Sequence, residues 1–135
     1  MLETQFPRIP RDIGNATTWP FAVQYRVVRD ATPDRVVRKD ARLLVQSFIK
    51  AARDLVISGC DGIITNYGFL TIIQDQLSKA VPVPVATSSL MQVPMVPAML
   101  PPGRRVGILT ISSETLTPVH LKAANVPLDT PIIGT

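Results

Sequence analysis

Hydroxyl and amide side chains recur at three points where a short apolar run gives way to a helical pattern. They are Thr65-Asn66-Tyr67, Thr87-Ser88-Ser89 and Thr110-Ile111-Ser112-Ser113. In an open α/β sheet, ligands lie just beyond the carboxyl ends of the strands. Free N–H groups at helix starts, with hydroxyls beside them, suit a small carboxylate. Serine and threonine are also ordinary helix N-caps, so each site alone means little. Their recurrence at one sheet edge is what points to a pocket for a small anion.

Other chemistries are poorly supplied. There is no dinucleotide glycine fingerprint, no phosphate-binding loop and no pair of metal-ligating residues at a usable spacing. His120 is the only histidine and falls within a helical pattern. Cys60, the only cysteine, stands at the start of the strand whose far end carries Asn66-Tyr67. Seven residues of extended chain span roughly 23 Å, which keeps this thiol away from the ligand edge.

The elements that must position the three exits follow from periodicity. Asp61–Thr65 reads as a strand, apolar in the middle, broken at Asn66-Tyr67-Gly68. Val23, Tyr25 and Val27 alternate with Gln24 and Arg26, the pattern of a half-buried strand over 23–28. Asp30–Asp34 reads as a loop. From Lys39 to Ser58, Ala41, Leu44, Val45, Phe48, Ala51, Ala52, Leu55 and Val56 keep the spacing of one apolar helix face, with Gly59 as its stop. A second helix is expected over Phe69–Lys79, and a short strand over Pro82–Ala86. Leu90–Leu100, interrupted by Pro94 and Pro97, suits a kinked or broken helix. Pro101-Pro102-Gly103 is a boundary signal. Beyond it the pattern predicts a strand over Arg105–Thr110, a helix over Thr115–Ala124 and a strand at Pro131–Ile133.

This alternation argues for an α/β fold, a parallel sheet with helices on both faces. It divides into a first lobe over 1–102, whose opening strand looks clipped, and the start of a second over 103–135. A clipped central strand would leave apolar faces uncovered, so a homo-oligomer is expected.

Composition agrees with a compact domain. The chain has 135 residues, 46% of them hydrophobic, which excludes a disordered chain. Fourteen basic against ten acidic side chains give +4, but the basic residues are scattered and lack aromatic interleaving, which argues against nucleic acid. No apolar run of membrane-spanning length is present, and a single cysteine suits a reducing cytoplasm.

Three segments together resemble the aspartate/glutamate racemase superfamily, which includes hydantoin racemases, maleate isomerases and arylmalonate decarboxylases. They are Phe6-Pro7-Arg8-Ile9-Pro10 with Asp12-Ile13-Gly14-Asn15, then Gly62–Leu70, then Arg105–Thr110. The resemblance implies two flavodoxin-like lobes with a site between them. Each lobe of that family supplies one cysteine, and the pair inverts a carbon alpha to a carboxylate without a cofactor. Here Tyr67 stands at the first cysteine's position, and so is the catalytic-position candidate. A second thiol is absent from these residues. A phenol with an ordinary pKa near 10 is a poor base, so binding carries over and proton transfer does not. The substrate-contacting residues implied are Asn66, Gly68, Phe69, Thr87, Ser88, Ser89, Thr110 and Ser112.

Overall fold

The computed structural model describes residues 1–65 and 67–134. Among them are four α-helices: α1 (Pro33–Arg38), α2 (Val45–Ile57), α3 (Gln74–Ala80) and α4 (Pro118–Ala123). Four short strands accompany these among the described residues: β1 (Ile63–Ile64), β2 (Val85–Ala86), β3 (Ile108–Thr110) and β4 (Ile132–Gly134). Each strand pair is parallel. β1 lies beside β2 with Ile63 opposite Val85, and β3 beside β4 with Ile108 opposite Ile132. A parallel pair needs a crossover, and α3 and α4 supply one each.

The mixed helix and parallel-strand character agrees with the α/β expectation. Among the described residues the strands form two separate two-stranded sheets rather than one continuous sheet, one on each side of Pro101-Pro102-Gly103. Gly103 turns the chain there with φ +77°, a conformation only glycine adopts freely.

The long helical pattern forms in two steps. A 3-10 turn over Ala41–Leu44, opened by the Asp40 carboxylate on the Arg42 N–H (2.9 Å), leads into α2. Ala41, Leu44, Phe48 and Ala52 are buried, and Val45, Ala51, Leu55 and Val56 pack on them. Gly59, at φ +88°, ends the helix: its N–H reaches the Val56 carbonyl (2.9 Å) and the Cys60 N–H that of Leu55 (3.1 Å). The second helical pattern also splits, into a 3-10 segment over Gly68–Ile73 followed by α3. The proline-broken stretch forms two 3-10 turns, Ser89–Gln92 and Val96–Met99.

Two expectations are corrected. The loop over 30–34 ends early, because Thr32 caps α1 through its hydroxyl and Pro33 takes the first helical position, where a missing N–H costs nothing. The strand over 23–28 does not form. Only Val28 pairs, in an isolated parallel bridge with Leu2. Val23 and Tyr25 are half-buried as the alternation requires, but no neighbouring strand lies alongside to complete a ladder.

The centre of the core is the Gly68–Ile73 segment. Leu70 and Ile73 are among the most buried side chains, at 1% and 0% exposure. The segment touches α1, α3, α4 and the turns before α2 and after β2, so its position fixes the geometry at the exit of β1.

Candidate functional site

A cavity of about 340 Å³ opens between β3 and the segments that follow β1 and β2. Tyr67, Gly68 and Phe69 enter from the exit of β1, Ser89 from the exit of β2 and Thr110 from the end of β3. Leu90, Val93, Ile108 and Leu116 supply an apolar wall. Three hydroxyl-bearing residues from three elements thus line one space with aliphatic side chains.

The polar character of the cavity is neutral. Among the described residues, Tyr67 is the only titratable side chain that lines it. Burial pushes the Tyr67 phenol above its ordinary value, because the low-dielectric surroundings disfavour the phenolate. At neutral pH the group is therefore a hydrogen-bond donor rather than a base. Its ring lies 6.0 Å from that of Phe69, and Phe69 in turn meets His120 edge-on at 5.3 Å and 82°. These stacked contacts fix the Tyr67–Phe69 turn against α4.

The expected site residues separate into two groups. Tyr67, Gly68, Phe69, Ser89 and Thr110 meet at the cavity. Thr87, Ser88 and Ser112 do not line it. Thr87 is fully buried and spends its polar groups inside the fold, its N–H and Oγ1 both donating to Gln74 Oε1 (2.9 and 2.8 Å). Its carbonyl accepts from the Thr65 hydroxyl. Ser88 caps the turn that follows, Oγ accepting from the Leu90 N–H at 3.0 Å. Ser112 does the same for the Thr115 N–H at 3.3 Å. Capping, the ordinary role of such residues, accounts for both. Asn66 lies outside the described residues. Cys60 is half-buried and lines a different cavity, in keeping with its place at the start of β1.

Gln74 went unnoticed in the sequence, where it reads as a solvent-facing helix residue. In the fold its amide bridges α3 to β2, with Nε2 donating to the Val85 carbonyl at 2.9 Å and Oε1 taking both Thr87 donors. The only signal was its place beside Leu70, Ile73 and Leu77 on the same helical side.

His120 holds the rear of the site. Its Nδ1 accepts from the Thr117 N–H at 3.2 Å, which identifies the neutral ring with its proton on Nε2. Burial holds its pKa below the ordinary value; the Thr117 backbone hydrogen bond and Asp40 act against it, and Arg42 acts in the same direction. The unfolded chain therefore takes up protons before the fold does. Stability is full above an unfolded pKa of about 6.5 and declines as pH falls from there through the depressed folded value. His120→Gln keeps a side-chain acceptor for Thr117 without the titration. Urea midpoints measured across this interval should slope downward with acid for the wild type and less steeply for the variant; parallel slopes would remove His120 as the cause.

No group of three or more acidic, histidine or cysteine side chains that could hold a metal occurs among the described residues. None of their helices is long and apolar enough to cross a membrane. Fold and site define a class: an α/β protein with a cleft, lined by hydroxyl-bearing residues, between β3 and the segments that follow β1 and β2. No family model, curated protein or solved structure matches the chain.

Proposed function

We propose that this chain binds a small carboxylate in the cleft between β1 and β3, and that it does so as a racemase-like fold without racemase chemistry. The observation that carries this reading is the meeting of three hydroxyl-bearing residues, Tyr67, Ser89 and Thr110, in one cavity backed by apolar side chains. A carboxylate accepts hydrogen bonds only, and its attached carbon needs a dry wall; the cavity offers both. The resemblance of Gly62–Leu70 and Arg105–Thr110 to the racemase superfamily supports the same edge as the ligand edge. A flavodoxin-like arrangement of the lobes belongs to this proposal as well. Proton transfer is not part of the proposal, because burial keeps the phenol at the cysteine position protonated and the described residues that line the cleft include no second acid or base.

Calorimetric titration with a panel of small mono- and dicarboxylates tests it. At least one should bind, and Tyr67→Phe should weaken that binding about tenfold, the worth of one hydrogen bond to a charged acceptor. Thr110→Val should do likewise. Equal affinities in wild type and both variants would sink the assignment of the cleft. In a chiral assay the wild type should leave amino acids and hydantoins unracemised.

A further inference from the structure

The cleft has two levels. Its deeper residues are Phe69, Leu90, Val93, Ile108 and Leu116, all apolar and all buried, with exposures from 2% to 7%. The hydroxyl-bearing residues stand nearer the surface: Tyr67 and Thr110 are half-buried and Ser89 is exposed. Leu109 and Ile111, also exposed, complete the margin and add no charge. Depth and polarity therefore run in opposite directions. Among the described residues that line the cleft, none is a lysine, arginine, histidine, aspartate or glutamate.

An apolar floor without a counter-charge decides what can enter. An ionised group placed there loses its water and gains no partner, so a carboxyl must take up a proton to go in. A hydroxyl loses less, but its hydrogen bonds go unmade. A methylene group gains from the same move, by about fourfold in affinity for each one fully buried. A ligand with one charged end is thus oriented by the cleft itself, carboxylate at the margin and hydrocarbon below. The volume of about 340 Å³ lies at the lower end for ligand pockets and corresponds to roughly eleven water-sized units at about 30 Å³ each. With the carboxylate counted as three of these, about eight carbons remain for the tail.

We propose that the ligand of this cleft is an aliphatic monocarboxylate of medium chain length, about five to nine carbons, and that dicarboxylates and acids with polar tails are excluded. This rests on the carboxylate reading above and narrows it to one substrate class. The selecting residues are those of the floor, Val93 among them. The hydroxyl-bearing residues at the margin hold the carboxylate that all such acids share, and so contribute affinity without discrimination.

Calorimetric titration with heptanoate, 6-hydroxyhexanoate and pimelate tests it, because the three acids differ only at the far end: methyl, hydroxyl and carboxylate. Heptanoate should bind about tenfold more tightly than 6-hydroxyhexanoate and at least about a hundredfold more tightly than pimelate. From butanoate to heptanoate the affinity should rise by up to about fourfold per carbon. Tyr67→Phe should weaken all three acids alike and leave their ratios unchanged. Val93→Thr keeps the shape of the floor and sets a hydroxyl in it, so it should narrow the lead of heptanoate over 6-hydroxyhexanoate. Circular dichroism confirms that both variants are folded, and the wild-type ratios stand without them. Pimelate binding as tightly as heptanoate, with both weakened by Tyr67→Phe, overturns the inference and leaves the carboxylate reading in place. Flat affinity from butanoate to heptanoate does the same. Heptan-1-ol binding as tightly as heptanoate, or the failure of every carboxylate to bind, removes the carboxylate reading and this inference with it.

Discussion

Ile73→Ala is expected to lower the unfolding free energy by about 3–4 kcal/mol, near the upper end for a buried aliphatic truncation. Ile73 is completely buried, at the point where the 3-10 segment becomes α3. The segment is packed against α1, α3, α4 and two turns, so the space left behind is enclosed on several sides by neighbouring elements. Ile73→Val removes one methylene and should cost about 1 kcal/mol. Denaturant unfolding of the three proteins gives the series directly. If the cost of alanine stays near that of valine, the segment is not the packing centre of the fold.

The same substitution also connects packing to the site. Tyr67, Gly68 and Phe69 are the start of that segment, and their register at the cleft is set by how Leu70 and Ile73 seat in the core. A cavity under Ile73 lets the turn move, and a carboxylate held by the Tyr67 hydroxyl should then bind more weakly in Ile73→Ala than in Ile73→Val. Neither residue touches the cleft, so any loss of affinity reports positioning rather than lost contact.

Helices with one apolar stripe were legible in the sequence: Leu44, Phe48 and Ala52 announce α2, and Gly59 its end. Three of the strand exits were legible too, and Tyr67, Ser89 and Thr110 meet at one cavity. Two kinds of feature were not. The first is the state of an extended segment. Val23, Tyr25 and Val27 carry a strand pattern, but pattern records which face is apolar, while a strand exists only if a partner backbone lies alongside. The second is the division of polar residues between cleft and fold. Thr87, Ser88 and Ser89 are consecutive and chemically alike. A local sequence has no means of saying that Thr87 turns inward to Gln74, that Ser88 caps Leu90, and that Ser89 alone faces the cavity. The inward turn of Thr87 depends on Gln74, thirteen residues upstream.

Gln74→Leu should cost about 2–4 kcal/mol, although it replaces a polar helix residue by a better-packing apolar one. The reason lies in which edge of β2 the amide meets. Pro84 and Ala86 accept the β1 donors, so Val85 and Thr87 point the other way, where no strand stands. The Gln74 side chain completes that edge, giving an N–H to the Val85 carbonyl and taking the Thr87 N–H and hydroxyl. The orientation of the amide is not arbitrary, because a backbone carbonyl only accepts and a backbone N–H only donates. Leucine leaves the Thr87 N–H and hydroxyl without their acceptor and the Val85 carbonyl without its donor, and Thr87 is fully buried. Gln74→Glu separates the two halves of the amide's work. Its carboxylate still accepts from Thr87 but sets an oxygen against the Val85 carbonyl, a repulsion that protonation converts into a hydrogen bond. The folded pKa of this glutamate is therefore raised above its unfolded value of about 4.3. The stability that it contributes is whole below that unfolded value and is lost as pH rises through the folded one. Relative to wild type, then, Gln74→Glu should be nearly normal in mild acid and weakened at neutral pH, while Gln74→Leu is weakened equally at both. Thermal unfolding at two pH values distinguishes them, and a pH-independent deficit in the glutamate variant would mean that the Val85 contact does not matter.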